Sequence, residues 1–179
     1  MAGTLCRRLG PGRLPYASRR DAGGGIAMGA TALLAIAVWF GGAAVLFGTG
    51  VVTGASAGHL AGFTLGMSVF VAPLSVPTAV VVGIALWRYV HPGGPRPFLG
   101  GVLGACTAVV SVAGGALGIG FVVGLSNVAD GTMGLLEAVQ FVLGTTMLAV
   151  PFAIAFGGWL VVPLGAFGGW YHERAKRAG

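Results

Sequence analysis

Residues that could do acid–base or metal chemistry are few, and the long apolar stretches contain almost none of them. The chain has three histidines, four acidic residues and two cysteines among 179 residues. Catalysis by proton transfer and metal binding both need such groups clustered within bonding distance. One candidate set exists, a membrane-surface enzyme site formed by His59, Asp130, Glu137 and Gln140. It is the least favoured of three hypotheses, and we expect no enzymatic activity, no metal site and no cofactor.

The uncharged stretches exclude further chemistry. Proton-coupled transport and voltage sensing need ionisable side chains at membrane depth, and haem between helices needs axial ligands there, usually histidine. No Asp, Glu, Lys or Arg occurs in residues 22–87, 97–129 or 138–172. His59, His91 and His172 lie near the ends of the apolar runs. These three functions are therefore not expected.

Composition predicts that lipid surrounds most of the chain. Apolar residues make up 56% and charged residues 8%, whereas a soluble domain has about 25% charged residues. A membrane-spanning helix needs about 20 apolar residues. We predict an all-α integral membrane protein, a four-transmembrane-helix bundle with spans near 26–47, 62–87, 99–124 and 141–162. The first turn is expected at Gly48-Thr49-Gly50, where two glycines interrupt the aliphatic run.

Basic residues predict the orientation of these spans. All ten Lys and Arg residues precede the first span, separate the second from the third, or follow the fourth. Basic loops stay on the cytoplasmic side, so both termini are expected there. The predicted organisation is a basic cytoplasmic tail over 1–24, a transmembrane domain over 25–171 and a second basic tail over 172–179. We expect a multi-pass protein of the cell membrane, specifically the cytoplasmic membrane of a prokaryote.

Aromatic residues agree with this arrangement. Trp87 and Tyr89 end the second span, and Trp170 and Tyr171 precede the C-terminal basic residues. Tryptophan and tyrosine concentrate at membrane–water interfaces. We therefore expect both pairs to lie in the interfacial belt at the cytoplasmic side.

Small residues recur at helical spacing and are the candidate packing surface. Helices in lipid associate through close contact of small side chains. One series has intervals of four and another has intervals of three and four. The first series is Gly50, Gly54, Gly58, Gly62 and Gly66, and the second is Gly100, Gly104, Ala108, Ser111, Gly115 and Gly118. Residues 50–61 fit either a helix projecting from the membrane or a glycine loop. A composition that raises glycine throughout the chain is the alternative explanation for both series.

Prolines within the second span mark a candidate kink or pore. Pro73 and Pro77 flank Ser75 and precede Thr78, and Ser111 is a polar residue of the third span. A proline in a helix frees a carbonyl that a hydroxyl or water can satisfy. Broken helices at membrane depth occur at transporter binding sites. This pattern supports the second hypothesis, a channel or facilitator for a small solute or ion.

The leading hypothesis is a non-catalytic structural or accessory subunit, or a self-associating membrane component. It rests on the packing series and on the absence of reactive groups inside the spans. The expected partners are the lipid bilayer, anionic lipids at the basic tails, and either further copies of the chain or another membrane protein. Nucleic acid is not expected, because determination of topology explains the basic residues.

Overall fold

Four α-helices and no strand make up the part of the chain that the computed structural model describes, which is residues 20–54, 56–90, 94 and 96–177. The helices are α1 (Arg20–Thr53), α2 (Ala57–Tyr89), α3 (Pro97–Ala129) and α4 (Leu135–Arg177). The predicted all-helical fold is confirmed. Most of the N-terminal basic tail, including Cys6, lies outside the described residues.

Each helix contains a stretch long and apolar enough to cross a membrane. These stretches are Asp21–Thr53, Ser68–Tyr89, Pro97–Ala129 and Leu135–Ala155. Four such helices were predicted, but the helices are longer than the predicted spans. The 43 residues of α4 extend about 65 Å at 1.5 Å per residue, about twice the thickness of a hydrocarbon core. A helix can continue beyond its apolar stretch because its backbone hydrogen bonds do not depend on lipid.

Helix α1 continues to Thr53 and α2 begins at Ala57, so the predicted turn at Gly48-Thr49-Gly50 is wrong. Gly54 has φ +69°, in the left-handed region that glycine adopts without steric cost. Upstream, Thr49 Oγ1 and Thr53 Oγ1 donate to the carbonyl oxygens of Leu46 and Thr49, at 3.1 and 2.8 Å. The presence of glycines therefore did not locate the turn. Of Gly48, Gly50 and Gly54, only Gly54 has the positive φ that ends the helix.

The four helices run alternately up and down. At one end of the bundle Gly24 of α1 lies beside Trp87 of α2, and Gly100 of α3 lies beside Glu173 of α4. We call this the basic end, because α1 begins, α2 ends, α3 begins and α4 ends there, next to the basic residues in the sequence. The opposite end, which holds the turns at 54–56 and 130–134, is called the acidic end.

The acidic-end turn between α3 and α4 is closed by backbone and carboxylate hydrogen bonds. Gly131 has φ +69°, and the N–H groups of Thr132 and Met133 both donate to Asn127 O, at 3.0 and 3.2 Å. The Gly134 N–H donates to Glu137 Oε2 at 2.8 Å. A carboxylate in the first helical turn also interacts favourably with the helix dipole.

Small residues fill most of the interior, together with the large apolar side chains of Met28, Trp87 and Leu103. Among the described residues, α3 is the most buried helix, and its buried positions are mainly glycine, alanine, serine and threonine. Large apolar side chains such as Leu34, Val52, Phe98 and Leu148 are exposed. This distribution is typical of a bundle with lipid outside and closely packed backbones inside.

Candidate functional site at the basic end of the bundle

Glu173 is a fully buried carboxylate that connects three helices. Its Oε1 accepts hydrogen bonds from Trp87 Nε1 at 2.7 Å and from Lys176 Nζ at 2.8 Å. Its Oε2 accepts the backbone N–H of Arg96 at 3.3 Å. One side chain of α4 thereby holds the C-terminal end of α2 and the N-terminal end of α3.

The donors around Glu173 compensate for its burial. Placing a charged group out of contact with water costs several kcal/mol unless hydrogen bonds and an opposite charge replace the lost hydration. The Lys176 ammonium supplies the opposite charge. Arg96 directly precedes Pro97, the first residue of α3, so the carboxylate also lies at the partially positive N-terminal end of that helix. The Glu173 carboxylate therefore has hydrogen-bond donors and an opposite charge in place of water, and it links the three helices.

Glycines let α3 approach α4 closely enough for this tie. A Cβ atom built on Gly100 would lie 2.5 Å from Glu173 Cγ and 2.6 Å from Gly169 O. One turn along, a Cβ on Gly104 would overlap Gly165 O. The α4 residues Gly165, Gly169 and Glu173 repeat at intervals of four, so they lie on one helical face. The backbones of α3 and α4 are in contact along this face, and Glu173 is the last residue of the series.

Trp87 lies inside the bundle rather than on its outer surface. Its side chain is fully buried, and a Cβ on Gly24 would lie 2.5 Å from its Cγ. Its ring contacts His172 edge-on, with centroids 6.0 Å apart. The prediction that Trp87 belongs to an interfacial belt is wrong, because its indole N–H is the donor that Glu173 needs. Tyr89 is 76% exposed, as a residue of such a belt would be.

Arginines lie on the outer surface around this buried centre. Arg88 is placed over the ring of Tyr89, with its guanidinium carbon 5.7 Å from the ring centroid. Arg174 is placed over the ring of Trp170 at 4.9 Å. Cations over aromatic faces are attracted by the ring quadrupole. Both residues are exposed.

A small cavity lies at the centre of the bundle, next to the α3–α4 contact. Its volume is about 20 Å³, enough for about one water molecule. Thr31, Thr107 and Ser111 contribute hydroxyls to its lining. Each hydroxyl donates to a carbonyl of its own helix, at Ala27, Leu103 and Ala108 respectively, all at 2.8 Å. The hydroxyls that line this cavity are thus hydrogen-bonded within their own helices, and the free volume between them is small.

The candidate pore residues are divided between the outer surface and a packed contact. Pro73 and Pro77 are exposed, and α2 continues through both. Ser75 is buried, with its Oγ against Gly115 of α3, and the Thr78 side chain lies against Gly114. Thr78 Oγ1 donates to Leu74 O at 2.6 Å. Ser111 lines the central cavity, which does not include Ser75 in its lining.

We expect Ser75→Leu to lower the free energy of unfolding by about 1–2 kcal/mol, because the larger side chain would collide with α3. Ser75→Ala, the matched control, should change it by about 0.6 kcal/mol or less. Equilibrium unfolding in mixed detergent micelles measures both. If Ser75→Leu is as stable as the wild type, Ser75 faces open space and a pore lining is the better interpretation.

The candidate packing glycines have different environments in the structure. Gly50 and Gly58 face each other across the first turn, since a Cβ on Gly58 would lie 2.8 Å from Gly50 Cα, and Gly62 lies against Phe47. Gly54 is the turn residue, and Gly66 has no atom within 4 Å of a Cβ position. This series is therefore divided between two helices and does not form one stripe.

The second series lies entirely on α3 and faces two neighbours. Gly100 and Gly104 contact α4, as described above. Gly115 and Gly118 contact α2, where a Cβ would lie 2.9 Å from Val71 O and from Phe70 O respectively. The mixed intervals of three and four therefore correspond to two different faces of one helix.

The surface-enzyme candidates are exposed residues at or near the acidic end. His59 lies in the first turn of α2, Asp130 follows α3, and Glu137 and Gln140 begin α4. Glu137 bonds the Gly134 N–H. Within residues 20–54, 56–90, 94 and 96–177, no three His, Cys, Asp or Glu side chains are grouped closely enough for a metal ion.

Sequence reasoning missed Glu173 because the residue occurs among basic ones near the C-terminal end. Residues 172–177, assigned to a basic tail, continue α4. A signal was present, since Glu173 extends the four-residue spacing of Gly165 and Gly169. An acidic residue in register with a glycine face indicates a position close to another backbone.

Comparison with known proteins identifies no relative. No protein-family model, curated protein or solved structure matches the chain. The class that the structure defines is an all-helical protein with four helices long and apolar enough to span a membrane.

Proposed function

We propose that the chain is a non-catalytic, self-associating component of a cell membrane, acting as a structural or accessory subunit. The observation that carries this proposal is an unoccupied small-residue face on α1. Gly41 and Gly48 have no atom within 4 Å of a Cβ position, and Ala44 between them is exposed. Spacings of three and four place these residues on one face.

This face differs from the glycines packed inside the chain. A glycine within a helix costs about 1 kcal/mol relative to alanine. At Gly25, Gly104 and Gly169 a contact with another helix accounts for the absence of a side chain. Gly41 and Gly48 have no such contact within the described chain. A second copy packed against α1 would supply it, as small-residue faces do between helices in lipid.

Close packing favours association over conduction through one chain. The side chains of Ser75 and Thr78 occupy the spaces left by Gly115 and Gly114. The central cavity holds about 20 Å³, about the space of a single water. A path for a hydrated solute along the α2–α3 contact would need these contacts to separate.

The orientation that we propose has the basic end in the cytoplasm. Arg88, Arg96, Arg174 and Lys176 belong to this end, and Asp130 and Glu137 to the opposite one. Basic loops are retained on the cytoplasmic side during insertion. Both termini then face the cytoplasm, and a prokaryotic cytoplasmic membrane is the proposed location. Reporter fusions that place Arg96 and Gly179 on different sides would contradict this topology.

Enlarging the free face of α1 tests self-association. We expect Gly41→Leu with Gly48→Leu to weaken association by about tenfold, or about 1.4 kcal/mol, because leucine prevents close approach. Energy transfer between labelled copies in liposomes measures this. Helix content by circular dichroism should stay unchanged, since neither glycine contacts another helix in the chain.

Gly144→Leu is the matched control, because Gly144 of α4 is equally open but lies on another helix. It should leave energy transfer unchanged. Wild-type protein that stays strictly monomeric at all protein-to-lipid ratios and purifies without a partner would contradict the proposal. Equal loss in the control and in the α1 variant would exclude α1 as the contact.

A further inference from the structure

We propose that the basic end binds the phosphate head groups of anionic lipids through Arg88, Arg96 and Arg174. The inference rests on the proposed membrane insertion and adds a lipid preference to it. It starts from the position of these three arginines around the buried carboxylate of Glu173. Arg88 follows Trp87, Arg174 follows Glu173, and the Arg96 backbone bonds Glu173.

The tie through Glu173 places the three arginines at the same end of the bundle, on separate helices. Trp87 Nε1 and Arg96 N both bond the same carboxylate, at 2.7 and 3.3 Å. Arg88 therefore comes from the end of α2, Arg96 from the start of α3 and Arg174 from the last turns of α4. All three residues are exposed. Their common position at this end is set by the fold and not by sequence proximity.

The acidic residues at this end are less exposed than the arginines. Glu173 is fully buried and turned inward, where it pairs with Lys176. Asp21 of α1 is half-buried, and its Oδ1 accepts the Ala22 N–H at 2.9 Å. Arg88, Arg96 and Arg174 are exposed, in contrast to Glu173. The outer surface is therefore positively charged.

Aromatic contacts set the arginines at the depth of lipid phosphates. Trp170 and Tyr89 hold Arg174 and Arg88 over their rings. Tryptophan and tyrosine favour the head-group region of a bilayer, so guanidinium groups stacked on them lie at the same level. Arginine presents a planar fork that matches phosphate oxygens in a bidentate geometry. Membrane phosphates are the anions concentrated at that level.

Quenching by brominated lipids tests the inference directly. Full-length protein is reconstituted in phosphatidylcholine vesicles, and brominated phosphatidylglycerol or brominated phosphatidylcholine is titrated in. Quenching at Trp170 is isolated by subtracting the signal of Trp170→Phe. We expect the anionic lipid to quench at lower mole fraction than the zwitterionic one. Arg88→Gln and Arg174→Gln should each weaken this preference by about fivefold.

Charge-matched variants separate a site from general attraction. Arg7→Gln with Arg8→Gln removes the same charge as Arg88→Gln with Arg174→Gln, but from the N-terminal segment. The preference at Trp170 should survive the first pair and fall by about 25-fold in the second. Circular dichroism checks folding, and the exposed positions of Arg88 and Arg174 favour its retention.

Three results would overturn the inference. They are equal quenching by the two brominated lipids, equal loss in both charge-matched pairs, and displacement by inorganic phosphate at the concentration of the lipid phosphate. The last would indicate a site for free phosphate. Failure of the protein to enter vesicles at all would refute the proposed membrane insertion, and the lipid preference with it. Insertion without a preference would refute only the lipid site.

Discussion

Glu173→Ala is expected to lower the free energy of unfolding by about 2–4 kcal/mol, because two N–H donors lose their acceptor and each unsatisfied buried donor costs about 1–3 kcal/mol. The change leaves the indole N–H of Trp87 and the backbone N–H of Arg96 without their acceptor, and it leaves Lys176 without its counter-charge. The loss affects α2, α3 and α4 together, so all three should separate at the basic end. Glu173→Gln keeps the shape and one acceptor oxygen, and should cost about 1–3 kcal/mol.

Equilibrium unfolding in mixed micelles, followed by tryptophan fluorescence, measures these losses. Glu137→Gln is the control, since it removes one negative charge from an exposed position at the acidic end. Its cost should be about 1 kcal/mol, the contribution of one exposed helix-capping contact. Similar losses in Glu173→Ala and Glu137→Gln would show that Glu173 does not hold the helices together.

The second large effect is expected at the closest contact of α3 with α4. Gly104→Ala should destabilise the protein by about 2 kcal/mol, although alanine favours a helix by about 1 kcal/mol over glycine. The new Cβ would meet Gly165 O, and it would lie 2.9 Å from Gly165 C and 3.2 Å from Gly169 Cα. These are backbone atoms, so the helices must move apart, which also lengthens the contacts of Glu173.

Gly144→Ala is the same chemical change at a position where we expect the opposite effect on stability. No atom lies within 4 Å of a Cβ at Gly144, so the variant should be stabilised by up to about 1 kcal/mol. Unfolding of both variants under one set of conditions gives the comparison. A Gly104→Ala protein as stable as Gly144→Ala would mean that α3 and α4 are farther apart than the structure places them.

The number of helices could be predicted because it follows from composition along the chain. Residues 97–129 carry no charge, and the polar backbone of such a stretch is best satisfied in lipid as a helix. The end of a helix follows from local backbone conformation instead. Gly48, Gly50 and Gly54 are alike in sequence, yet only Gly54 has positive φ. The first turn was misplaced for that reason.

The sequence indicated that small residues form the packing surfaces, but not which helices these residues bring into contact. Four-residue spacing predicts a common face when all members lie on one helix, as Gly100 and Gly104 do. Gly50 and Gly58 belong to a series with the same four-residue interval, but they face each other from two helices. Spacing alone cannot distinguish these cases, because the turn at 54–56 reverses the chain between them.

The sequence by itself determined the helical class, the four apolar stretches and the grouping of basic residues in segments that alternate with them. These properties depend on the composition of long segments, so the identity of any one residue changes them little. Only the tertiary structure decided that Trp87 is internal, that Ser75 fills the space beside Gly115, and that Glu173 bonds α2 and α3. Each of these depends on which helix faces which, to within an ångström, and that is fixed by contacts between residues distant in sequence.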